Sequence, residues 1–331
     1  MTKIRWGILS AANIAYDELV PALRRSARAE VAAVASKSTG KAERFNPPVI
    51  YDNYEELLDD SSINAVYIPL PNSLHATWAV EAMKKGKHVL LEKPATLTEA
   101  EMNFIKETAE NNNVVFMEAF MYQFHRQHKR AKELLQSGVI GEYRHVKAHF
   151  SWMLDDGGDI RLNRELGGGA MRDVGCYGLH AVTQIVGFKP IQISMTGSIH
   201  PEYGVDTTST CVLMDNKNRI AEVSASIELP FINRYEIIGE KGSITVDSSF
   251  RPDVSDDKFG KITVKDSNSN VICFERIKDD QYLNQVEHFH DCILTGGLPS
   301  YNAGHSLEMA RYLEKAYQSL QNQSFLTDVN K

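Results

Sequence analysis

Short apolar runs alternate with helical patterns from residue 4 to about residue 136 of this 331-residue chain. This alternation is typical of βα units and a parallel sheet. It predicts an α/β nucleotide-binding domain with a doubly wound parallel sheet. The six predicted strands are Ile4 to Ser10, Val31 to Ser36, Val49 to Tyr51, Ala65 to Leu70, His88 to Glu92 and Val114 to Ala119.

The pattern changes after about residue 140, where strands follow one another with few helices between them. A mixed or antiparallel sheet is expected there, with helical segments at 169–186, 282–294 and 303–320. The second domain is therefore α+β. We place a dinucleotide-binding domain at residues 1–122 and a substrate-binding domain at residues 123–331.

Bulk properties favour small polar metabolites as partners. A formal net charge of -7 gives no electrostatic basis for binding nucleic acid or anionic membranes. No apolar stretch approaches the ~20 residues that span a bilayer, and the first residues lack a signal-peptide pattern. We therefore expect a cytoplasmic protein.

The four cysteines are far apart and no carboxylate pair completes the scattered histidine pairs, so no metal site is expected.

Glu92-Lys93-Pro94 follows the apolar strand that begins at His88. In an open parallel sheet, ligands lie outside the carboxyl ends of the strands, so Lys93 is expected to point into a crevice. The alternative is a surface lysine in a strand-to-helix turn.

The first strand-to-helix turn has small residues, and no glycine, at the three key places of the dinucleotide fingerprint G-x-G-x-x-G/A. Such residues allow backbone N–H groups to approach a pyrophosphate if φ stays negative. A tight turn without a ligand is the alternative. The three places are Ser10, Ala12 and Ala15, and the cofactor contacts expected from this turn are Ser10, Ala12, Asn13 and Ile14.

The second strand ends in Ser36-Lys37-Ser38, where an NAD site usually carries an acid for the ribose 2′-hydroxyl. A hydroxyl, Lys37 and Lys41 suit a 2′-phosphate better, so NADP is the predicted cofactor. If both lysines are merely solvated, NAD is possible.

The fourth strand leads into a loop with Pro69, Leu70, Asn72 and His75. This loop and Lys93 leave adjacent strand ends, so these residues are expected near the nicotinamide. His75 alternatively caps its own helix.

Asp173, Tyr177 and His180 have a spacing that puts them on one face of a helix following Gly167-Gly-Gly. A polar stripe facing solvent is the alternative. Hydride transfer from an alcohol needs a base, and the Lys93 ammonium would lower the pKa of Tyr177 toward working pH. His180 is an alternative base or a ligand of a substrate hydroxyl. Asp173 would orient either group or accept a hydrogen bond from a polyol.

Several motifs together resemble the glucose-fructose oxidoreductase / inositol dehydrogenase (Gfo/Idh/MocA) family, most closely its dihydrodiol dehydrogenase and NADP-dependent xylose dehydrogenase branch. They span most of the chain. The motifs are WGILSAANIA at 6–15, PNSLH at 71–75, EKP at 92–94, EAFMY at 118–122, LGGGA at 166–170, DVGCY at 173–177 and GEKGS at 239–243.

The resemblance implies an N-terminal Rossmann domain and a C-terminal domain with a large open-faced, mostly antiparallel sheet that forms dimers or tetramers. It implies a Lys93–Tyr177 catalytic pair, with Asn72, His75 and Glu92 at the nicotinamide. Gln123 stands where many relatives carry arginine. The predicted function is NAD(P)-dependent hydride transfer on a sugar, polyol or diol. The alternatives are an NAD-dependent glycosidase with a closed redox cycle and a non-catalytic NADP-binding sensor.

Overall fold

The computed structural model describes residues 3–38, 40–322 and 327–329, which form two compact units. The first unit combines Met1–Met121 with Gln281–Ala310, and the second combines Tyr122–Asp280 with Arg311–Lys331. The two units are therefore not the two continuous segments expected from the sequence.

Contacts of buried Trp6 explain why residues 281–310 group with the first unit. The Trp6 ring lies 5.4 Å from that of Phe289, and its Nε1 donates a hydrogen bond to His290 Nε2 at 3.0 Å. Arg28 adds an ion pair with Asp291 at 2.6 Å.

Six parallel strands form the sheet of the first unit, in the order β3-β2-β1-β4-β5-β6. This is the strand order of a doubly wound dinucleotide-binding sheet, so the predicted fold class is confirmed for this unit. Its central strands are buried on both faces, which explains their continuous apolar sequences. The strands are β1 Ile4–Leu9, β2 Ala29–Ala35, β3 Val49–Tyr51, β4 Ala65–Ile68, β5 His88–Leu91 and β6 Phe116–Glu118.

Helices connect these strands. Thr98 begins one of them with a capping box, in which its side chain accepts from the Glu101 N–H and the Glu101 side chain accepts from the Thr98 N–H. The helices of the first unit before residue 121 are Ala15–Leu19 with Val20–Arg25, Tyr54–Asp59, His75–Lys84 and Glu99–Asn112, together with 3-10 turns at Glu43–Phe45 and Asn72–Leu74. Ala15–Leu19 is a π-helical turn that runs directly into Val20–Arg25.

A nine-stranded sheet dominates the second unit, in the order β14-β13-β12-β11-β7-β10-β9-β8-β15. All its pairs are antiparallel except β7 with β10, so the predicted mostly antiparallel sheet is confirmed. The strands are β7 Tyr143–Met153, β8 Pro190–Ile199, β9 Asp206–Asp215, β10 Ile220–Ser226, β11 Glu228–Gly239, β12 Gly242–Asp247, β13 Gly260–Asp266, β14 Val271–Ile277 and β15 Thr327–Asp328.

One helix in the second unit, residues 171–185, is called the site helix below. It begins with the π-helical turn Met171–Gly175, continues as Cys176–His180 and ends with the π-helical turn Ala181–Ile185. The second unit also contains the helix Arg126–Gln136 and 3-10 turns at Ile160–Leu162 and Pro252–Val254. The helix Gln281–Thr295 belongs to the first unit, while the 3-10 turn Met121–Phe124 and the helix Ala303–Asn322 include residues of both units. In the part of the chain that the structure describes, no helix has both the length and the apolar character needed to cross a membrane.

Candidate functional site

The turn after β1 adopts an unusual backbone conformation at Ser10, whose φ is 105°. Its N–H donates to the Ala35 carbonyl at 2.9 Å, which ties the turn to the end of β2. The condition of a negative φ, under which small residues allow N–H groups to approach a pyrophosphate, is therefore not met at Ser10. Ser10 has a positive φ, a backbone conformation that glycine adopts more readily than other residues.

A cleft of about 280 Å³ opens beside this turn. Its walls come from the turn after β1, from the segment after β2 and from one aromatic ring. The lining residues are Ser10, Ala11, Ala12, Asn13, Ser36, Lys37, Ser38, Lys41 and Tyr54. The structure thus brings together six of the residues predicted to bind the cofactor, whereas Ile14 does not line the cleft.

The charge of the cleft is positive. Lys37 and Lys41 both line it, and none of the nine lining residues is acidic. Lys37 Nζ lies 5.4 Å from the centre of the Tyr54 ring, and burial raises the pKa of Tyr54. The Ser10 side chain acts to lower that pKa. These residues fit the 2′-phosphate of NADP.

Arg44 supports the same turn and was not among the residues predicted from the sequence. Its Nη2 donates to the Ala11 carbonyl at 2.7 Å and to Asn13 Oδ1 at 3.0 Å. Its guanidinium lies 4.6 Å from the centre of the Tyr16 ring. The only sign of this role in the sequence was a basic residue three positions after Lys41. Spacing alone does not distinguish an arginine that holds the turn by hydrogen bonds from one whose charge is solvated.

The other predicted cofactor residues of this unit follow β4 and β5, which are neighbours in the sheet with Ile68 paired to Leu91. Pro69, Leu70 and Asn72 follow β4, while Glu92 and Lys93 follow β5. The two loops therefore leave the same edge of the sheet side by side. The Lys93–Pro94 peptide bond is cis.

His75 connects these two loops. Its Nδ1 lies 2.9 Å from the Pro94 carbonyl oxygen and its Nε2 lies 2.8 Å from the Leu70 carbonyl oxygen. The side chain is fully buried, and burial lowers its pKa to about 4. These two contacts connect the loops that contain Leu70 and Pro94, and the predicted contact between His75 and the cofactor stays a prediction.

Two carboxyl groups hold the backbone around Lys93. Glu92 accepts from the Tyr67 hydroxyl and, at 3.2 Å, from the Lys93 N–H. Buried Glu118 accepts from the Ala95 N–H at 2.8 Å. Burial raises the pKa of Glu118 to about 7, against the opposing effect of neighbouring hydroxyl groups and of the Ala95 N–H. Glu118 is a second residue that the sequence-based prediction did not include.

The site helix packs closely on the nine-stranded sheet because of two glycines. A Cβ at Gly178 would lie 2.5 Å from Val223 Cγ1, and one at Gly175 would lie 3.1 Å from Ala225 Cβ. Both partners belong to β10. The sheet therefore fixes the face of the helix on either side of Tyr177.

Tyr177 lies in an aromatic cluster and is 6% exposed. Its ring centre is 5.4 Å from that of Phe150 and 5.7 Å from those of Phe250 and Tyr122. Tyr122 also connects to His180, because its hydroxyl lies 2.6 Å from His180 Nδ1. The structure thus brings Tyr177 and His180 together around Tyr122, which was not among the predicted site residues.

Asp173 has different surroundings. Its Oδ2 lies 2.9 Å from Arg161 Nε in an ion pair and accepts from Trp152 Nε1 at 3.2 Å. The neighbouring carboxylates, Asp173 first, raise the pKa of the Arg161 guanidinium against its burial. The π-helical turn before Cys176 changes the i, i+4 spacing assumed for a regular helix. Asp173 therefore anchors the segment that contains Arg161.

Residues that ligate metals do not cluster here. Among residues 3–38, 40–322 and 327–329, no group of three or more His, Cys, Asp or Glu side chains is arranged to hold a metal ion. The histidines of the predicted pairs make other contacts: His128 Nδ1 lies 3.0 Å from the Tyr235 hydroxyl, and His145 Nε2 lies 2.7 Å from Glu222 Oε1.

Two family models match the sequence. A model described as an oxidoreductase family with an NAD-binding Rossmann fold matches residues 4–120. The GFO/IDH/MocA C-terminal domain matches residues 128–245. The matches cover parts of both structural units.

Individual relatives extend over almost the whole chain. It is 34% identical over 319 residues to D-xylose 1-dehydrogenase (NADP(+)) 2 of Haloferax volcanii, covering 95% of this chain and 96% of that protein. It is 30% identical over 333 residues to trans-1,2-dihydrobenzene-1,2-diol dehydrogenase of Xenopus tropicalis, covering 96% and 98%.

Among solved structures, the 3-ketoreductase KijD10 from Actinomadura kijaniata, in complex with NADP and TDP-benzene, matches with a TM-score of 0.90 at 28% identity. The match covers 96% of this chain and 98% of that chain. With both family models and near full-length relatives in agreement, the chain belongs to the GFO/IDH/MocA family of oxidoreductases, with an NAD-binding Rossmann fold in its N-terminal part.

Proposed function

We propose that this protein is an NADP-preferring oxidoreductase that transfers a hydride between the nicotinamide and the hydroxyl/carbonyl pair of a sugar, polyol or diol. The observation that carries the proposal is the positively charged cleft beside β1 and β2, lined by Ser36, Lys37 and Lys41 without an acid. Relatives named as an NADP-dependent xylose dehydrogenase and a dihydrodiol dehydrogenase support the substrate class.

Residues of the same unit support a position for the cofactor. Backbone N–H groups of the turn at Ser10 to Asn13 would face the pyrophosphate, and Lys37 with Lys41 would face the 2′-phosphate. Asn72 and Glu92 would border the nicotinamide, since they follow the two strands next to that turn. Bound NADP supplies the hydride acceptor in oxidation, and NADPH supplies the donor in reduction.

Lys93 and Tyr177 would carry the proton chemistry. In oxidation, the substrate hydroxyl gives its proton to the Tyr177 phenolate as the hydride leaves the same carbon, and a carbonyl forms. In reduction, the Tyr177 hydroxyl returns that proton to the new alkoxide oxygen. The Lys93 ammonium stabilises both the phenolate and the developing charge on the substrate oxygen. Through its contact with Tyr122, His180 would orient the substrate or act as an alternative base, while Asp173 stays in its ion pair with Arg161.

We also propose that the protein works in the cytoplasm as a homodimer or tetramer formed through the nine-stranded sheet. Apolar side chains of its edge strand β14 support self-association, because Val271, Ile272 and Phe274 are each more than half exposed. Light scattering coupled to gel filtration would give the mass, and a monomer at micromolar concentration would refute this assembly.

Lys93→Met tests the mechanism. Loss of the ammonium should reduce kcat by about 10²- to 10⁴-fold while leaving the dissociation constant of NADPH within a few-fold of the native value. The matched control is Lys106→Met, which removes a lysine that pairs with Glu110 on the helix Glu99–Asn112.

Turnover is measured at 340 nm with aldoses, polyols, diols and dicarbonyls, using both NAD and NADP. Near-native activity of Lys93→Met would refute its assigned role. Cleavage of a glycoside without lasting change at 340 nm would indicate the closed redox cycle of a glycosidase. Tight NADP binding without turnover of any compound would indicate a sensor.

A further inference from the structure

The carboxylate of Asp206, at the start of β9, contacts the beginning of the site helix. We infer that Asp206, held by Tyr317, is a positioning residue that sets the location of Tyr177 along the helix axis. The inference rests on the proposed function only in giving Tyr177 a catalytic role. The contacts themselves lie within the second unit.

Asp206 is 1% exposed and accepts three hydrogen bonds. The Met171 N–H and the Ser209 hydroxyl donate to Oδ2, each at 2.8 Å, and the Tyr317 hydroxyl donates to Oδ1 at 2.6 Å. Burial raises the pKa of Asp206, while these donors act to lower it. A buried carboxylate with three donors has a fixed orientation, because each donor satisfies part of its hydrogen-bonding capacity.

The site helix lacks a cap from its own sequence. Ala170 precedes its first turn and has no side-chain oxygen that could accept from the first N–H groups. The Asp206 carboxylate takes this place from another strand. Its negative charge also lies at the end of the helix where backbone dipoles favour an anion.

The glycine run before the helix is shaped by this contact. Gly169 has a φ of 122°, and a Cβ there would lie 2.2 Å from Asp206 Oδ1 and 2.7 Å from the Tyr317 hydroxyl oxygen. At Gly168, a Cβ would lie 2.3 Å from the Arg161 carbonyl oxygen. The chain therefore has room for Asp206 and Tyr317 only because no side chain is present at Gly169.

Contacts with the sheet and with Asp206 restrain different motions of the helix. Gly175 and Gly178 lie against β10 and hold the helix close to the sheet. Because glycine has no side chain, these two contacts do not by themselves block sliding along the helix axis. The hydrogen bond from Met171 to Asp206 supplies that restraint, six residues before Tyr177.

The test compares three variants of the full chain. Asp206→Asn removes the charge, Tyr317→Phe removes one donor, and Asp215→Asn is the control. Asp215 lies at the other end of β9, is also 1% exposed and pairs with Arg219 instead of the site helix. All three changes keep the volume of the side chain nearly constant.

Asp206→Asn should lower kcat on the order of ten-fold, since a small misplacement of a catalytic group is costly. The dissociation constant of NADPH and the KM for the cofactor should stay within two-fold, and Tyr317→Phe should show a smaller loss of kcat in the same direction. Hydrogen exchange of the peptide that covers residues 170–177 should become faster in both variants. The Asp215→Asn control should match the native protein in kcat and in that exchange.

Native kcat in Asp206→Asn, or native exchange of the Met171 amide, would overturn the inference. If Asp206→Asn does not fold, unchanged kcat and unchanged exchange in Tyr317→Phe would overturn it instead. Failure of the proposed function is distinguishable, because the native protein would then turn over no substrate while the exchange measurement would still report on the Met171 contact.

Discussion

Glu118 provides a quantitative test of how the interior of the first unit affects stability. Its carboxyl is 1% exposed, and burial raises its pKa to about 7 from an ordinary value of 4.5. The native state therefore keeps a proton that the unfolded chain loses at lower pH. Stability from this group is fully present below about pH 4.5 and is lost as the pH rises through about 7.

The size of the effect follows from the difference in pKa. A difference of about 2.5 units, at about 1.4 kcal/mol per unit, corresponds to about 3 kcal/mol of unfolding free energy. Glu118→Gln keeps a carbonyl oxygen that can accept from the Ala95 N–H but cannot ionise. Relative to the native protein, this variant should gain up to about 3 kcal/mol in stability between pH 5 and pH 8.

The assay is urea unfolding of both proteins at several pH values from 5 to 8, followed by circular dichroism. Buried histidines such as His75, with a pKa lowered to about 4, change stability in the opposite direction but equally in both proteins. They therefore cancel in the difference. Glu107→Gln, at an exposed position of the helix Glu99–Asn112, is the control and should give a difference independent of pH. Parallel curves for Glu118→Gln and the native protein would refute the reasoning.

Two further changes test the cofactor cleft and the packing of the site helix. Lys37→Ala should raise the KM for NADP by about ten-fold and that for NAD by less than two-fold, because one charge contact to the 2′-phosphate is lost; equal effects on both cofactors in steady-state assays would contradict the assignment. Gly178→Ala should lower the unfolding free energy by about 1–3 kcal/mol, because its Cβ would lie 2.5 Å from Val223 Cγ1. A denaturation midpoint equal to that of the native protein would show that the helix can move away from the sheet at no cost.

Local patterns were sufficient for most of the fold. Each of the six strands predicted in the first unit is present, and Val49–Tyr51 has the predicted bounds. Central parallel strands are apolar throughout, so their sequences differ clearly from those of the amphipathic helices between them. The same reasoning located the cleft residues, because the ends of neighbouring parallel strands lie at one edge of the sheet.

Residues that act through distant partners were not predictable in this way. Asp206 lies 35 positions after Met171, and Arg44 lies 33 positions after Ala11, so no local spacing connects them. Likewise, no feature of the sequence distinguished the two π-helical turns of the site helix from regular α-helix.

The conformation of Ser10 has a consequence for how such proteins are found and engineered. A non-glycine residue at a φ of 105° costs on the order of 1–3 kcal/mol. Ser10 also lines the cofactor cleft, together with Tyr54. Searches that require glycine at this position would pass over the chain. Glycine introduced there would relieve this strain and give the backbone of the cleft wall more conformational freedom, so any gain in heat resistance would come with a less rigid cofactor pocket.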